Sequence, residues 1–293
     1  MIIVAESGST KCDWLVLNDD WDIVNHEQTL GYNPYFHDEY FIYGDLKLNT
    51  FLNEHKHSIN KVWFYGAGCS TNHYSKIVFN GLERFFPNAV IEVEHDLMAS
   101  ALVAFKGEPC ISCILGTGSN ACYYDGETLT ESNPPLGYIV GDEASGCYFG
   151  KILLNAYFNK QLPEDLAKAF KETYNLSHAE FTAKTYSSAR ANVYLASFME
   201  FYSVNKQHSY IQQIVKKGFR EFIEKHICCF DNYTDVKISF VGSIAYFFQD
   251  EIEYVGSEFG LSFGDFYRKP VFKLMEYHKN LEAVKIKQQA FNG

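Results

Sequence analysis

No stretch of the chain approaches the ~18 consecutive apolar residues of a membrane helix, and no dense run of Lys or Arg interrupts it. The first absence argues against a membrane span. The second removes the cationic footprint by which proteins grip nucleic acid or anionic lipid, so neither is expected as a partner. Proline is sparse, seven in 293 residues, and no low-complexity segment occurs, so no flexible linker is expected. The start, Met1-Ile2-Ile3-Val4, lacks a basic n-region and a small-residue cleavage site, which predicts a protein without a secretory signal, in the cytoplasm.

What is present is ordinary for a globular protein: 47% hydrophobic and 21% charged residues, with a formal net charge of −11. A phosphate held by so acidic a chain must be met locally, by backbone amides and a metal. Aromatics reach 17%, consistent with core packing and amphipathic surface. Of the eight cysteines, Cys110 and Cys113 form a CxxC pair inside an apolar run that reads as a strand. Positions three apart on a strand point to opposite faces and cannot share one ion. Cys228 and Cys229 fall in a helical pattern and read as buried thiols.

The most informative feature is a repetition. Gly8-Ser9-Thr10-Lys11-Cys12-Asp13-Trp14 matches Gly118-Ser119-Asn120-Ala121-Cys122-Tyr123-Tyr124 at glycine, serine, cysteine and the final aromatic. Each segment lies between two apolar runs that read as strands. A P-loop or a dinucleotide fingerprint would instead need a helix directly after the glycines. A strand at Ile2 to Val4, the turn, a strand at Cys12 to Leu17 and a third around Ile23-Val24 open the first half. The second half repeats the unit, with Asp125-Gly126 as the next hairpin turn.

Each hairpin is followed by α/β material. The first half adds a strand from Lys61 to Tyr65, a helix from Asn72 to Phe86, a strand from Ala89 to Glu94 and a helix from Leu97. The second adds a long helical region from Tyr148 to Phe230, a strand from Val236 to Val241, and a helix opened by Gly242-Ser243. The pattern predicts an internal duplication with unequal insertions, divided as 1–107 and 108–293. A last helix, about 270–293, is expected to pack back on the first half.

Successive amides in a glycine turn can form a concave nest for an anion, to which Ser and Thr hydroxyls add donors. Two such loops facing one another could hold the phosphates of one nucleotide from both sides. Each could also be no more than a tight hairpin turn.

The ordered set Glu6-Ser7-Gly8-Ser9-Thr10-Lys11, Gly116-Thr117-Gly118-Ser119-Asn120, Gly141-Asp142-Glu143-Ala144-Ser145-Gly146 and Val241-Gly242-Ser243 resembles the N-acetylglucosamine kinase branch of the actin, sugar kinase and heat-shock chaperone superfamily. That group also contains the activator ATPases of CoA-ester reductases and dehydratases. The resemblance implies two ribonuclease H-like α/β domains with a cleft between them, ATP and Mg²⁺ as cofactors, a sugar as substrate and a homodimer as one candidate assembly. It implies phosphoryl transfer to the 6-hydroxyl of N-acetylglucosamine or a related N-acyl hexosamine. An activator ATPase and a non-catalytic sugar sensor on the same fold are the alternatives.

By the same resemblance, ATP would meet Ser7, Gly8, Ser9, Thr10, Lys11, Gly116, Thr117, Gly118, Gly242 and Ser243. Glu6 would serve Mg²⁺ or its waters where the superfamily more often has Asp, and a hard oxygen suits that ion. Asp96 would be the general base on the sugar hydroxyl; from the residues alone it also reads as a helix N-cap. The sugar would be held by Asn33, Gly68, Asp96, Ser119, Asn120, Gly137, Asp142 and Glu143. Alone, Asp142 and Glu143 also read as acids of a helix first turn, Asn33 as ordinary turn packing, and Gly242 as a helix-start glycine.

Overall fold

The computed structural model describes residues 1–188 and 190–291. Residues 292 and 293, part of the expected last helix, lie outside the described residues. Among those described, ten strands build two five-stranded sheets. The first contains β1 (Ile2–Ser7), β2 (Lys11–Leu17), β3 (Ile23–Leu30), β4 (Lys61–Gly66) and β5 (Val90–His95), in the order β3-β2-β1-β4-β5. The second contains β6 (Cys110–Leu115), β7 (Ser119–Tyr124), β8 (Leu129–Thr130), β9 (Lys237–Val241) and β10 (Ser262–Tyr267), in the order β10-β9-β6-β7-β8.

The two orders are one order read from opposite ends. In each sheet the first three strands form an antiparallel meander and the last two add in parallel beside the first. This is the duplication foreshadowed by the two loops, and both sheets are mixed α/β. The first strand of each is central, which explains its unbroken apolar sequence: Ile3, Val4 and Ala5 of β1, and Ile111 and Cys113 of β6, are fully buried.

The chain divides into two compact units, Met1–Phe105 with Lys269–Gly293, and Lys106–Arg268. The first unit packs Trp14, Tyr32, Phe64, Phe85 and Phe86 into one core, with Trp14 6.2 Å from Tyr32 and 5.8 Å from Phe64 between ring centres. Helix Asn72–Phe85 is capped by Thr71 and ends ahead of Pro87. Helix Val271–Phe291 packs on β1, β2 and helix Asp96–Ala104 of this unit.

The second unit carries the large helical insertion. Its core gathers Phe149, Phe170, Phe198, Phe219, Phe222 and Phe240, and the buried Tyr202 satisfies its hydroxyl by donating to the Phe149 carbonyl at 2.9 Å. Helix Ser209–Phe222 runs into a turn of π-helix, Ile223–Ile227. Cys228 and Cys229, expected as buried thiols, follow that turn and are partly exposed, because the helical pattern stops there.

Candidate functional site

In the first unit, the turn between β1 and β2 is knitted to two neighbouring segments. Gly31 N donates to Thr10 O at 3.1 Å, Tyr32 N to Ser7 Oγ at 2.8 Å, and Ala67 N to Ser7 O at 2.8 Å. Asn33 Nδ2 donates to Ser9 Oγ at 3.3 Å, while its Oδ1 accepts the Tyr35 amide at 3.0 Å. Gly68 has φ +80, and a β-carbon there would stand 2.7 Å from Asn33 Oδ1. The loop residues Ser7 to Lys11, Asn33 and Gly68 therefore share one patch.

Gly31 is a residue that sequence reasoning passed over. A β-carbon on it would lie 2.0 Å from Gly8 O, so only glycine lets β3 close against the loop. The signal was present in the turn composition of Gly31-Tyr32-Asn33, but its steric meaning depends on the Gly8 carbonyl.

Glu6 is the penultimate residue of β1 and pairs with Asp13 in the register of β1 and β2. Asp96 is the first residue of helix Asp96–Ala104, and His95 at the N-cap position makes no side-chain cap bond. Glu6 keeps some solvent contact, yet its carboxyl is enclosed by protein. That desolvation first, then repulsion from Asp96 and Asp13, pushes it up to about 8. Asp13 behaves oppositely: burial raises it, but hydrogen bonds from Gln28, Lys269 and His26 win and hold it below the usual range. Those donors stand at 2.7, 3.0 and 2.8 Å from Asp13 Oδ1.

Asp96 and Asp13 thus each repel the Glu6 carboxylate beside the loop, a surrounding that favours a hard divalent cation. Among the described residues no three His, Cys, Asp or Glu side chains converge as a metal cage. Glu6, a hard oxygen donor beside the loop, fits an ion that takes one or two carboxylates and completes its shell with phosphate and water oxygens.

In the second unit, the turn between β6 and β7 is bonded to the acid loop. Gly146 N donates to Gly116 O at 2.8 Å, Cys147 N to Thr117 O at 3.1 Å, and Ser119 Oγ to Glu143 O at 2.7 Å. A β-carbon on Gly118 would meet Asp142 Oδ2. Ser145 caps helix Gly146–Phe158, which ends the loop at a fixed direction. Gly242, at φ +118, abuts the same turn: a β-carbon there would stand 2.3 Å from Leu115 O. Ser243 follows it as the first residue of helix Ser243–Phe247.

The two acids of the loop differ. Burial pushes Asp142 up to about 6, against a hydrogen bond from the Ser119 amide. Burial also raises Glu143, but hydrogen bonds from His226 and Lys225 prevail and hold it down to about 2. Lys225 Nζ donates to Glu143 Oε1 at 2.7 Å and His226 Nε2 to Oε2 at 2.9 Å. A carboxylate only accepts, so His226 carries its proton on Nε2. Neither Lys225 nor His226 was signalled by the sequence, because they lie more than eighty residues away in a helical stretch without a local motif.

A cavity of about 240 Å³ opens here, lined by Ser119, Asp142, Glu143, Lys225 and His226 on the polar side and by Pro134, Pro135 and Leu136 on the apolar side. Asn120 is turned to Glu131, its Nδ2 donating at 3.1 Å. Gly137 starts helix Gly137–Val140 at φ +68, with open space where a side chain would stand. Cys110 and Cys113 both lie in β6 and are buried, which raises both thiols. No described helix is long and apolar enough to cross a membrane.

No family model matches the chain, and no curated protein does. Among solved structures, the chain is 32% identical to a provisionally assigned N-acetylglucosamine kinase from Porphyromonas gingivalis, over 96% of this chain and 99% of that one, with a TM-score of 0.87. A second provisional N-acetylglucosamine kinase, from Chromobacterium violaceum, is 15% identical over 94% and 98% of the two chains, at a TM-score of 0.66. A glucokinase of the ROK family from Streptomyces griseus, in complex with glucose and AMPPNP, is 14% identical over 91% and 93%, at 0.56. The last two likenesses concern the fold.

Proposed function

The chain belongs to the N-acetylglucosamine kinase-like family of the actin-like ATPase superfamily, and from that premise we propose that it is an ATP-dependent sugar kinase acting on the 6-hydroxyl of N-acetylglucosamine or a close N-acyl hexosamine. The observation that carries the reading is the Ser7–Lys11 loop, knitted to Tyr32, Asn33 and Gly68, with Glu6 in the strand that leads into it and Asp96 near enough to repel its charge. Crowded acids at the end of parallel strands are costly unless chemistry uses them. Kinship over nearly the whole chain supports the same reading.

In this reading the amides and hydroxyls of Ser7 to Lys11 are the phosphate-binding group of the first unit, and those of Gly116 to Gly118 that of the second. Gly242 leaves room for the base and ribose. The residues assigned to sugar hydroxyls are Asn33 and Gly68 in the first unit, and Asp142, Ser119, Asn120 and Gly137 in the second. Asp96 takes the proton of the 6-hydroxyl as that oxygen forms its bond to the γ-phosphorus and the bond to the ADP oxygen breaks. Mg²⁺, when bound at Glu6, would neutralise charge on the transferring phosphoryl group. The side chains supply position more than covalent chemistry.

The test is a coupled assay of ADP release over a panel of hexoses and hexosamines with Mg²⁺. N-acetylglucosamine or a near relative is expected to stimulate release. No stimulation by any sugar would sink the proposal.

A further inference from the structure

The acid loop holds two residues with β-carbons, Asp142 at φ 55 and Ala144 at φ 57, in the left-handed region that disfavours them. Such a conformation persists only where the surroundings over-determine it. The residue between them is the anchor. The main-chain carbonyl of Glu143 accepts from Ser119 Oγ at 2.7 Å, and its carboxylate accepts from Lys225 and His226 at 2.7 and 2.9 Å. Glu143 is only 7% exposed, so these bonds are shielded from water on one side.

Lys225 and His226 are adjacent on the π-helical turn Ile223–Ile227, a feature concentrated at functional sites. Successive residues of an α-helix do not face one target; here both reach one carboxylate. The His226 ring also stacks on Phe222, with centres 5.0 Å apart, which restricts the imidazole. The clamp thus runs from the helical insertion to the acid loop, while Asp142, one residue before the clamped glutamate, stays at the wall of the cavity.

We propose that Lys225 and His226 are positioning residues: by clamping Glu143 they hold the loop in its left-handed form and so aim the Asp142 carboxylate at the ligand, which on the kinase reading above is a sugar hydroxyl. The two acids then have separate duties. Glu143 is a structural anchor, and Asp142 makes the contact. The clamp itself does not depend on the kinase reading, but the identity of the ligand does.

Two readouts test this on the full chain. The first is hydrogen exchange at the amides of Ser145 and Gly146, which bond Asp142 O at 3.1 Å and Gly116 O at 2.8 Å. Exchange is expected to quicken about tenfold in His226→Phe, which keeps the ring stack and removes the donor, and in Lys225→Met. The second is steady-state kinetics: KM for the sugar rises about tenfold in both variants while KM for ATP stays within about twofold, and Lys225→Arg restores the wild-type values.

Unchanged exchange overturns the clamp. Faster exchange with sugar and ATP KM values rising together, or not at all, overturns the positioning role. A wild-type protein without sugar-stimulated turnover overturns the kinase reading and the sugar as ligand, even where exchange responds to the variants. If Lys225→Met does not fold, His226→Phe carries both readouts.

Discussion

A β-carbon on Gly118 would stand 2.9 Å from Oδ2 of Asp142, so the second glycine turn and the acid loop touch and cannot be altered independently. Asp142 cannot simply swing away, because its backbone is already held in the left-handed region. Gly118→Ala is expected to lower stability by about 1–2 kcal/mol. Gly116, two residues earlier, has open space around it, and Gly116→Ala is expected to change stability by less than about 0.5 kcal/mol. Denaturant unfolding of the two variants side by side checks this; equal losses would contradict it.

Gly242 is tighter still. At φ +118, with the Leu115 carbonyl 2.3 Å from where a β-carbon would be, it faces both torsional strain and a backbone collision. Gly242→Ala is expected to cost about 3 kcal/mol or more. Gly107 separates the two causes, since it shares the positive φ, at +92, but has nothing within 4 Å. Gly107→Ala is expected to cost only about 1 kcal/mol. The same unfolding experiment reads both, and a small loss at Gly242 would show that the backbone yields.

The C-terminal helix introduces a pH dependence. His278 lies against Trp63, with ring centres 4.2 Å apart, its Nε2 2.9 Å from the Tyr65 hydroxyl and its Nδ1 buried without a partner among the described residues. Burial, outweighing the attraction of Glu92, pushes the imidazole down to about 4. The unfolded chain therefore binds the proton first as pH falls. The His278 contribution to stability is constant above about pH 6.5 and is lost from there toward pH 4, by about 3 kcal/mol in all. His278→Phe, which keeps the stacking, is expected to flatten that slope. A stability curve between pH 7 and pH 4 that is unchanged by the substitution would contradict it.

The fold was legible in the sequence largely because of the paired turns. The turns Gly8-Ser9-Thr10 and Gly116-Thr117-Gly118 each join the first two strands of a sheet, and the buried central strands β1 and β6 announce themselves as unbroken apolar runs. Strand β10 did not. Ser262-Phe263-Gly264-Asp265-Phe266-Tyr267 lies at a sheet edge, with a shifted register between Phe263 and Phe266, and neither alternation nor an apolar run marks it.

The site was legible only where chemistry is local. Asp142, Glu143 and the glycines stand in short motifs, while the partners that distinguish the two acids come from elsewhere in the chain. Lys225 and His226 reach Glu143 across the whole helical insertion, and Lys269 reaches Asp13 from the start of the returning segment. Pairings of that kind depend on tertiary packing and leave no periodic trace.

The central claim is that Asp96 accepts the proton of a sugar hydroxyl during phosphoryl transfer from ATP. Its most direct measurement is sugar-dependent ADP release and calorimetric sugar binding, made together on the wild type and on Asp96→Asn. Turnover is expected to fall by about 10³-fold in the variant while its affinity for the sugar stays within about threefold of wild type. Sugar-dependent turnover by Asp96→Asn at near the wild-type rate would contradict the assignment.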